Sequence, residues 1–529
     1  MKRLLVHTSL GAVGLVSLLL LPMQGCTNLD ENPASVITPG NFFRTEGEVL
    51  AGLAGVYAQL RSTAPEGGIY DAIEVSTDEI VVPTRGSDWY DNGQWIDLHN
   101  QTWTPTSAAT SNFFNGVWNS AYTGVARANL FLAAIQNSTV PGKAAIVGEA
   151  RTLRAFYYYI LMDFFGGVPI VTTPALATNP RNTRREVFDF IESELIAARD
   201  SGLPATWGAG DAGRVTQGAA DAILANMYIN AGVFTKDAGI SANSYNSCAG
   251  VTVHGGDACA QAIAAADRLL NSGNYRLADS FPQNFRADNS NSPENIFVVK
   301  FIAADGLGLD VIMSGLHYNQ FNPTPWNGFA TLAQTYNSFD ANDLRRNVVL
   351  IGRQSNVLTG ALVNDRAGNP LIFTDTIKDI HQATEGEGPR PYKWPADPNH
   401  VQQNNGNDFA WFRLGEIYLI KAEALNEQTP GSPAALALLN TLRNRTQPVN
   451  TALAGPITRQ MILNERLFEL LAEGKRRQDL IRFGQYTGRT DAASGISGGK
   501  QARPDYYVLM PIPQTQIDAN PKLTQNPGY

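Results

Sequence analysis

Gly148-Glu149-Ala150-Arg151-Thr152-Leu153-Arg154-Ala155-Phe156-Tyr157-Tyr158-Tyr159-Ile160-Leu161-Met162-Asp163-Phe164-Phe165-Gly166-Gly167-Val168-Pro169-Ile170-Val171 reads as one helix with its end written in. Leu153, Phe156, Tyr157, Ile160 and Phe164 recur at the three- and four-residue spacing of one buried helical face. Arg151 and Arg154 leave that stripe near its start, where a guanidinium can bridge to an adjacent helix. Gly166-Gly167 then stops the helix, because glycine tolerates the left-handed conformation of a C-terminal cap, and Pro169 blocks its resumption. Taken alone, the stretch is a core helix with a sharp stop.

Working outward toward the N-terminus, Trp118, Tyr122, Val125, Ala128, Leu130 and Ile135 belong to the preceding helix, which enters the stretch through Pro141-Gly142. Before it, Ile69 to Ser107 reads as loop-rich, and its tryptophans Trp89, Trp95 and Trp103 have no helical or alternating period that would bury them. Earlier still, Asn41 to Arg61 is an amphipathic helix with Phe42, Val49, Leu53, Val56 and Leu60 on its apolar face, closed by Pro65-Glu66-Gly67-Gly68. Toward the C-terminus, Val187–Ala198, Thr216–Ala231 and Cys259–Leu270 read as helices, the last two as a pair. Phe412–Asn426 pairs with Ala434–Arg445 far downstream. Helix pairs with small residues at contact positions are similar to tetratricopeptide repeats, whose unit is roughly 34 residues. Their irregular spacing here predicts a repeat-derived scaffold carrying insertions. These lie between Asn271 and Asp408, with a strand over Asn295–Phe301 and then segments rich in Gly, Asn and Pro.

Several phrases along this frame recur together in one family. The opening Glu-Ala-Arg-x-Leu-Arg-Ala-x-Tyr-Tyr followed by Phe165-Gly166-Gly167-Val168-Pro169 resembles the signature helix of the SusD/RagB family of outer-membrane nutrient-binding lipoproteins. Trp326-Asn327-Gly328-Phe329-Ala330-Thr331, with Asn337 to Asp340 and Asp343 to Arg346, is similar to wording that follows a binding loop in that family. Phe412-Arg413-Leu414-Gly415-Glu416-Ile417-Tyr418 resembles the family's late repeat helix, and Glu465-Arg466 with Glu469, then Glu473-Gly474-Lys475-Arg476-Arg477-Gln478-Asp479-Leu480-Ile481-Arg482, resemble its penultimate motif. The tail Met510-Pro511-Ile512-Pro513-Gln514 to Gln525-Asn526-Pro527-Gly528-Tyr529 completes the series in the right order. The resemblance implies a mostly α SusD-like helical scaffold with tetratricopeptide-type helix pairs and long irregular loops on a ligand face. It also implies cell-surface binding of a nutrient, oligosaccharide being the family's commonest choice and peptide remaining open. The nutrient would pass to a SusC-like TonB-dependent outer-membrane transporter, with neither cofactor nor catalyst.

The start of the chain suits that setting. Lys2 and Arg3 precede an apolar run from Leu10 to Leu21, too short for a comfortable membrane span, so residues 1–25 read as a signal peptide. Gly25-Cys26 ends it as in a bacterial lipoprotein, which would make Cys26 the lipidated N-terminus, although Met23 and Gln24 depart from the usual pattern. Residues 26–529 are then expected to form one domain, with repeat helices to about residue 270 and the insertions and late pair beyond. With Cys26 lipidated, Cys248 and Cys259 remain in an exported chain, either as a disulfide, which is favoured, or as two free thiols.

Composition narrows the partners. With 43% hydrophobic and 17% charged residues the 529-residue chain is globular, and its net charge of -8 works against nucleic acid or an anionic membrane surface. Six scattered histidines show no zinc spacing, so no metal site is expected. Gly208 to Gly213 matches a dinucleotide fingerprint only formally, since no strand precedes it. Gly495-Ile496-Ser497-Gly498-Gly499 matches a nucleophile elbow, but no histidine follows Ser497. Asp340, Asp343 and Glu416 read as caps or ion-pair partners rather than catalytic carboxylates, and the basic cluster Lys475 to Arg477 as a solvated face or a structural network. The ligand site is expected where the loop Asp78–Trp103 meets the loop His317–Trp326. Trp89, Trp95 and Trp326 would stack on sugar rings, and Asp78, Arg85, Tyr318 and Asn322 would hydrogen-bond. A surface-anchored glycoside hydrolase and an assembly scaffold without a small ligand are the rival readings.

Overall fold

Four helices, α1 (Glu46–Ala58), α2 (Gly68–Glu74), α3 (Gln94–Asn100) and α4 (Asn115–Ala134), lead into the long α5 (Lys143–Phe165). Next come α6 (Arg184–Ser201), α7 (Gln217–Ile229), α8 (Ala231–Phe234) and α9 (Ala258–Leu270). The short α10 (Val311–Gly315) and α11 (Ala333–Ser338) lie in the insertion region. The chain ends with α12 (Leu414–Gln428), α13 (Pro433–Asn444), α14 (Arg459–Leu470), α15 (Arg476–Arg482) and α16 (Gln514–Ala519). Strands are short: β1 (Thr252–Val253), β2 (Gly256–Asp257), β3 (Asn295–Val299), β4 (Val349–Leu350), β5 (Gly352–Arg353), β6 (Ile372–Phe373), β7 (Arg390–Pro391) and β8 (Phe409–Arg413). They pair antiparallel as β1–β2, β3–β8, β4–β7 and β5–β6. This computed structural model describes residues 43, 45–65, 68–175, 177–445 and 452–529; the expected signal peptide, Cys26 and Phe42 lie outside them.

Side chains in the sequence start these helices. Thr45 and Thr183 each form a reciprocal capping box with the glutamate three residues on, Glu48 and Glu186. Thr216, Asp257, Ser432 and Thr458 cap α7, α9, α13 and α14, and Pro433 occupies the first position of α13. The helix α5 stops where the sequence says: Gly166, at φ 73°, donates its N–H to the Met162 carbonyl at 3.1 Å. Gly167 is required by space, since a Cβ there would lie 2.2 Å from the Asn182 carbonyl oxygen.

The single buried face expected for α5 is corrected by its surroundings. From Gly148 to Phe165 every residue except Arg151 is buried, because α1, α4, α6 and α7 all pack on it. Phe156 meets Phe297 of β3 at 4.8 Å and Trp411 of β8 at 5.4 Å. Tyr157, Tyr158 and Tyr159 send their hydroxyls three ways, to the Val56 carbonyl (2.7 Å), the Val171 carbonyl (3.0 Å) and Asn226 Oδ1 (2.8 Å). Arg151 and Arg154 both reach Glu194 of α6, at 2.8 and 2.5 Å. A helix enclosed on all sides must pair its polar groups, and this one does.

The helix pairs follow: α7 packs on α9, α9 on α12 and α12 on α13. Cys248 and Cys259, on either side of the β1–β2 hairpin, are joined as a disulfide with Cα atoms 5.1 Å apart. The late charged motif is a buried ionic lattice. Arg413 reaches Glu469 at 2.7 Å, Glu473 at 2.6 Å and Glu294 at 3.1 Å. Arg345 holds Asp343, Glu465 and Glu469 at 2.8, 2.8 and 3.0 Å. Lys475 pairs with Glu416, Arg477 with Asp163 of α5, and Arg482 with Glu423 and Asp479. Of the two uses open to the basic cluster, it is the structural network. Buried pairs repay their desolvation only when fully hydrogen-bonded, and removing one partner costs about 3–5 kcal/mol.

Candidate functional site

Two loops far apart in sequence are joined at one surface groove. Val81 and Ala330 exchange backbone hydrogen bonds at 2.8 and 2.9 Å, which aligns the segment leading to Trp89 with the segment following Trp326. The backbone amides and carbonyls of Arg85 and Asp88 close a tight turn, after which Trp89 adopts φ 65°. That conformation is uncommon for a bulky residue. It lays the indole over Gly328, where a Cβ would come within 2.4 Å of the ring. The Trp89 Nε1–H donates to the Trp326 carbonyl at 2.7 Å, so the two loops are locked together.

The groove spans about 910 Å³ out to its open mouth and is lined by Ser87, Asp88, Trp89, Asp91, Tyr318, Thr324, Pro325, Trp326 and Arg366. The Tyr318 hydroxyl donates to Asp88 Oδ2 at 2.5 Å, and burial, then this carboxylate, pushes the phenol up to about 12. The Arg366 guanidinium covers the Tyr318 ring at 4.1 Å and pairs with Glu385 and, at 3.4 Å, with Asp88. Burial works to raise the Glu385 carboxyl, but Arg366 and His317 hold it down to about 2. His317 approaches Glu385 at 3.0 Å, yet burial keeps its imidazole below the usual range. The outcome is a wall of aromatic faces beside carboxylate acceptors, the composition that suits a polyhydroxylated ligand.

Four residues expected at the site lie beneath or away from the groove. Asp78 is engaged by Arg476 through two bonds of 2.7 and 2.8 Å; burial raises its carboxyl, but the guanidinium carries it below the usual range. Arg85 is 2% exposed and donates to the Thr384 and Glu387 carbonyls, anchoring the loop from below. Trp95 is 7% exposed, packs on Phe113 at 4.9 Å and donates to Asp91 Oδ2 at 2.8 Å. It is the floor under Trp89, whose ring lies 5.3 Å away edge to face, and Trp103 is likewise fully buried. Asn322 is exposed on the second loop outside the groove lining. Trp89, Tyr318 and Trp326 are brought together. Sequence reading missed Asp88 and Asp91, although both flank Trp89, and Arg366, which nothing in the sequence connects to the two loops.

Other motifs fall into ordinary roles. Asp211 and Arg214 pair in the turn after Gly208, and Ser497 is tied by its backbone to Lys378 and Ile380. Among the described residues no three His, Cys, Asp or Glu side chains gather to hold a metal ion, and no helix is long and apolar enough to cross a membrane.

A mostly α-helical scaffold that carries its groove entirely on loops defines a class of helical binding protein. Residues 330–529 match the model of the SusD family, and residues 57–229 match the model described as starch-binding associating with outer membrane. The chain belongs to the SusD/RagB family. It is 24% identical to the starch-binding protein SusD of Bacteroides thetaiotaomicron, over 98% of both chains. Its fold is that of a laminarin-binding SusD-like protein (TM-score 0.71, 22% identity, 92% of this chain and 100% of that one). It also matches surface glycan-binding protein A of Bacteroides thetaiotaomicron, solved with laminarihexaose (TM-score 0.67, 20% identity, 91% and 99%).

Proposed function

We propose that the chain binds glycan at the cell surface through the groove between Trp89, Tyr318 and Trp326. The observation that carries this reading is the hydrogen bond from the Trp89 indole to the Trp326 backbone carbonyl, which ties the two loops together beside Asp88 and Asp91. Fixed aromatic faces bind sugar rings with little ordering cost, and carboxylates accept hydroxyl protons. The starch- and laminarihexaose-binding relatives support the ligand class, and the outer-membrane description of one matching family model supports the location.

In this proposal Cys26 carries lipid, residues 26–529 act as one domain, and a SusC-like TonB-dependent transporter receives the glycan. Binding alone is required of this chain, with no catalyst and no cofactor. Native gels containing soluble starch or laminarin test it. Mobility should fall in at least one gel, while prolonged incubation leaves the chain length of the glycan unchanged. Shortened products, abolished by neutralising Asp88 or Asp91, would instead make the protein a hydrolase. Cys26→Ala should release the protein from membranes, and pull-down of the membrane-bound form should recover a TonB-dependent barrel.

A further inference from the structure

We infer that the groove selects uncharged glycans and rejects uronate and sulfated ones, and that Asp88 and Asp91 set this selection. The inference rests on the proposed glycan-binding reading. Among the described residues only three ionisable side chains other than tyrosine reach the lining, namely Asp88, Asp91 and Arg366. The single cation is already engaged, since Arg366 pairs with Glu385 through Nε and leans on Asp88 through Nη2.

Counting Glu385 behind the wall, three carboxylates face one guanidinium, a formal charge of -2, and the lowered His317 adds nothing at neutral pH. The cations beneath do not reach a ligand. Arg85 and Arg390 are 2% and 0% exposed; Arg85 Nη1 and Nη2 and Arg390 Nη2 donate to the Thr384, Glu385 and Glu387 carbonyls and to Asn327 Oδ1, and their remaining donors are buried. Including them and the buried Glu387 still leaves the charge negative, at -1.

Carboxylates are acceptors only. Asp88 takes Tyr318 and Arg366 on Oδ2 and the Ser87 hydroxyl at 3.4 Å on Oδ1, and Asp91 takes the Trp95 indole on its Oδ2, so each carboxylate, with about four lone-pair sites, keeps acceptor capacity. A hydroxyl supplies the proton those oxygens need. A uronate or sulfate supplies none and meets like charge, which is how a site discriminates by repulsion as much as by fit.

Calorimetry on the mature chain tests this with maltohexaose, laminarihexaose and cellohexaose, each beside its own partially sulfated derivative, and with hexagalacturonate. The expected result is binding of a neutral chain at least about ten-fold tighter than its sulfated counterpart, narrowing as salt rises. In the folded double variant Asp88→Asn, Asp91→Asn that ratio should fall by at least about ten-fold, whereas rejection by shape alone would survive the substitutions. Asp91→Asn alone serves if the double variant does not fold. Sulfated chains bound as tightly as neutral ones, or a ratio unmoved by the variant, would overturn the inference while leaving glycan binding intact. Binding of no oligosaccharide of either kind would overturn the functional reading and this inference with it.

Discussion

Gly328 sits where no side chain fits, because the Trp89 indole occupies that space at 2.4 Å from a would-be Cβ. The neighbour cannot yield cheaply, since the indole is pinned by its bond to the Trp326 carbonyl and rests on Trp95. Trp89 also holds φ 65°, a conformation costing of order 1–3 kcal/mol for a non-glycine residue, and such strain persists where surrounding contacts impose it. Gly328→Ala is therefore expected to displace the indole and lower glycan affinity by about ten-fold or more, the scale of losing one aromatic anchor. The melting temperature should fall as well, because the displaced ring gives up its bond to the Trp326 carbonyl and its contact with Trp95. Wild-type affinity in that variant would mean that the Trp89 face takes no part in binding.

At the scale of elements, legibility followed length and periodicity. The 23-residue helix α5 announced its core residues, its arginine bridge and its glycine stop. What it concealed was burial on every side, because the enclosing strands β3 and β8 come from distant segments. The seven-residue α3 is too short to display a period, so its Trp95 passed for a loop residue. Its first turn follows Gly93 at φ 77°, whose local signal is that of a turn. Arg85 and Asp78 read as site residues because a lone charge in a polar loop gives no sign of a buried partner hundreds of positions away. Arg366 was invisible for the converse reason. The β1–β2 hairpin offers a check at this scale: its ends are tied by Cys248 and Cys259, 11 residues apart. Closing so short a loop contributes roughly 3 kcal/mol in the chain-entropy model. Thiol titration of the unfolded, unreduced protein should find neither sulfur reactive, and Cys248→Ser with Cys259→Ser should lower the melting temperature. Two titratable thiols in the exported protein would contradict the pairing.

Across the whole molecule, the lattice that joins α12, α14 and α15 to α5 makes stability depend on pH in two opposed ways. Burial alone would raise Glu469, Glu473 and Asp479, but the surrounding arginines, with Lys393 beside Glu473, hold all three below the usual range. Groups lowered by folding contribute stability above about pH 4.5 that is lost as pH falls through their folded values. Glu74 of α2 runs the other way: burial first of all lifts it from 4.5 to about 7, against the Gly474 amide at 2.6 Å. Its contribution is present below 4.5 and lost as pH rises toward about 7, and Asp71, also raised by burial to about 7, adds to the same slope. The melting temperature should therefore peak near about pH 5 and decline toward neutrality. Glu74→Gln should make that decline shallower without altering the acid limb, and an unchanged profile would assign the slope to other groups. The loops of the groove are anchored on this scaffold through Asp78 and Arg476, and the groove is the central claim. It is tested most directly by calorimetry of Trp326→Ala against Trp207→Ala, using whichever neutral hexasaccharide the wild type binds. Trp207 is the control, because its indole lies outside the groove beneath Arg214 at 3.8 Å. The account predicts a loss of about 1–3 kcal/mol of affinity in folded Trp326→Ala and none in Trp207→Ala. Undiminished binding by folded Trp326→Ala would contradict it.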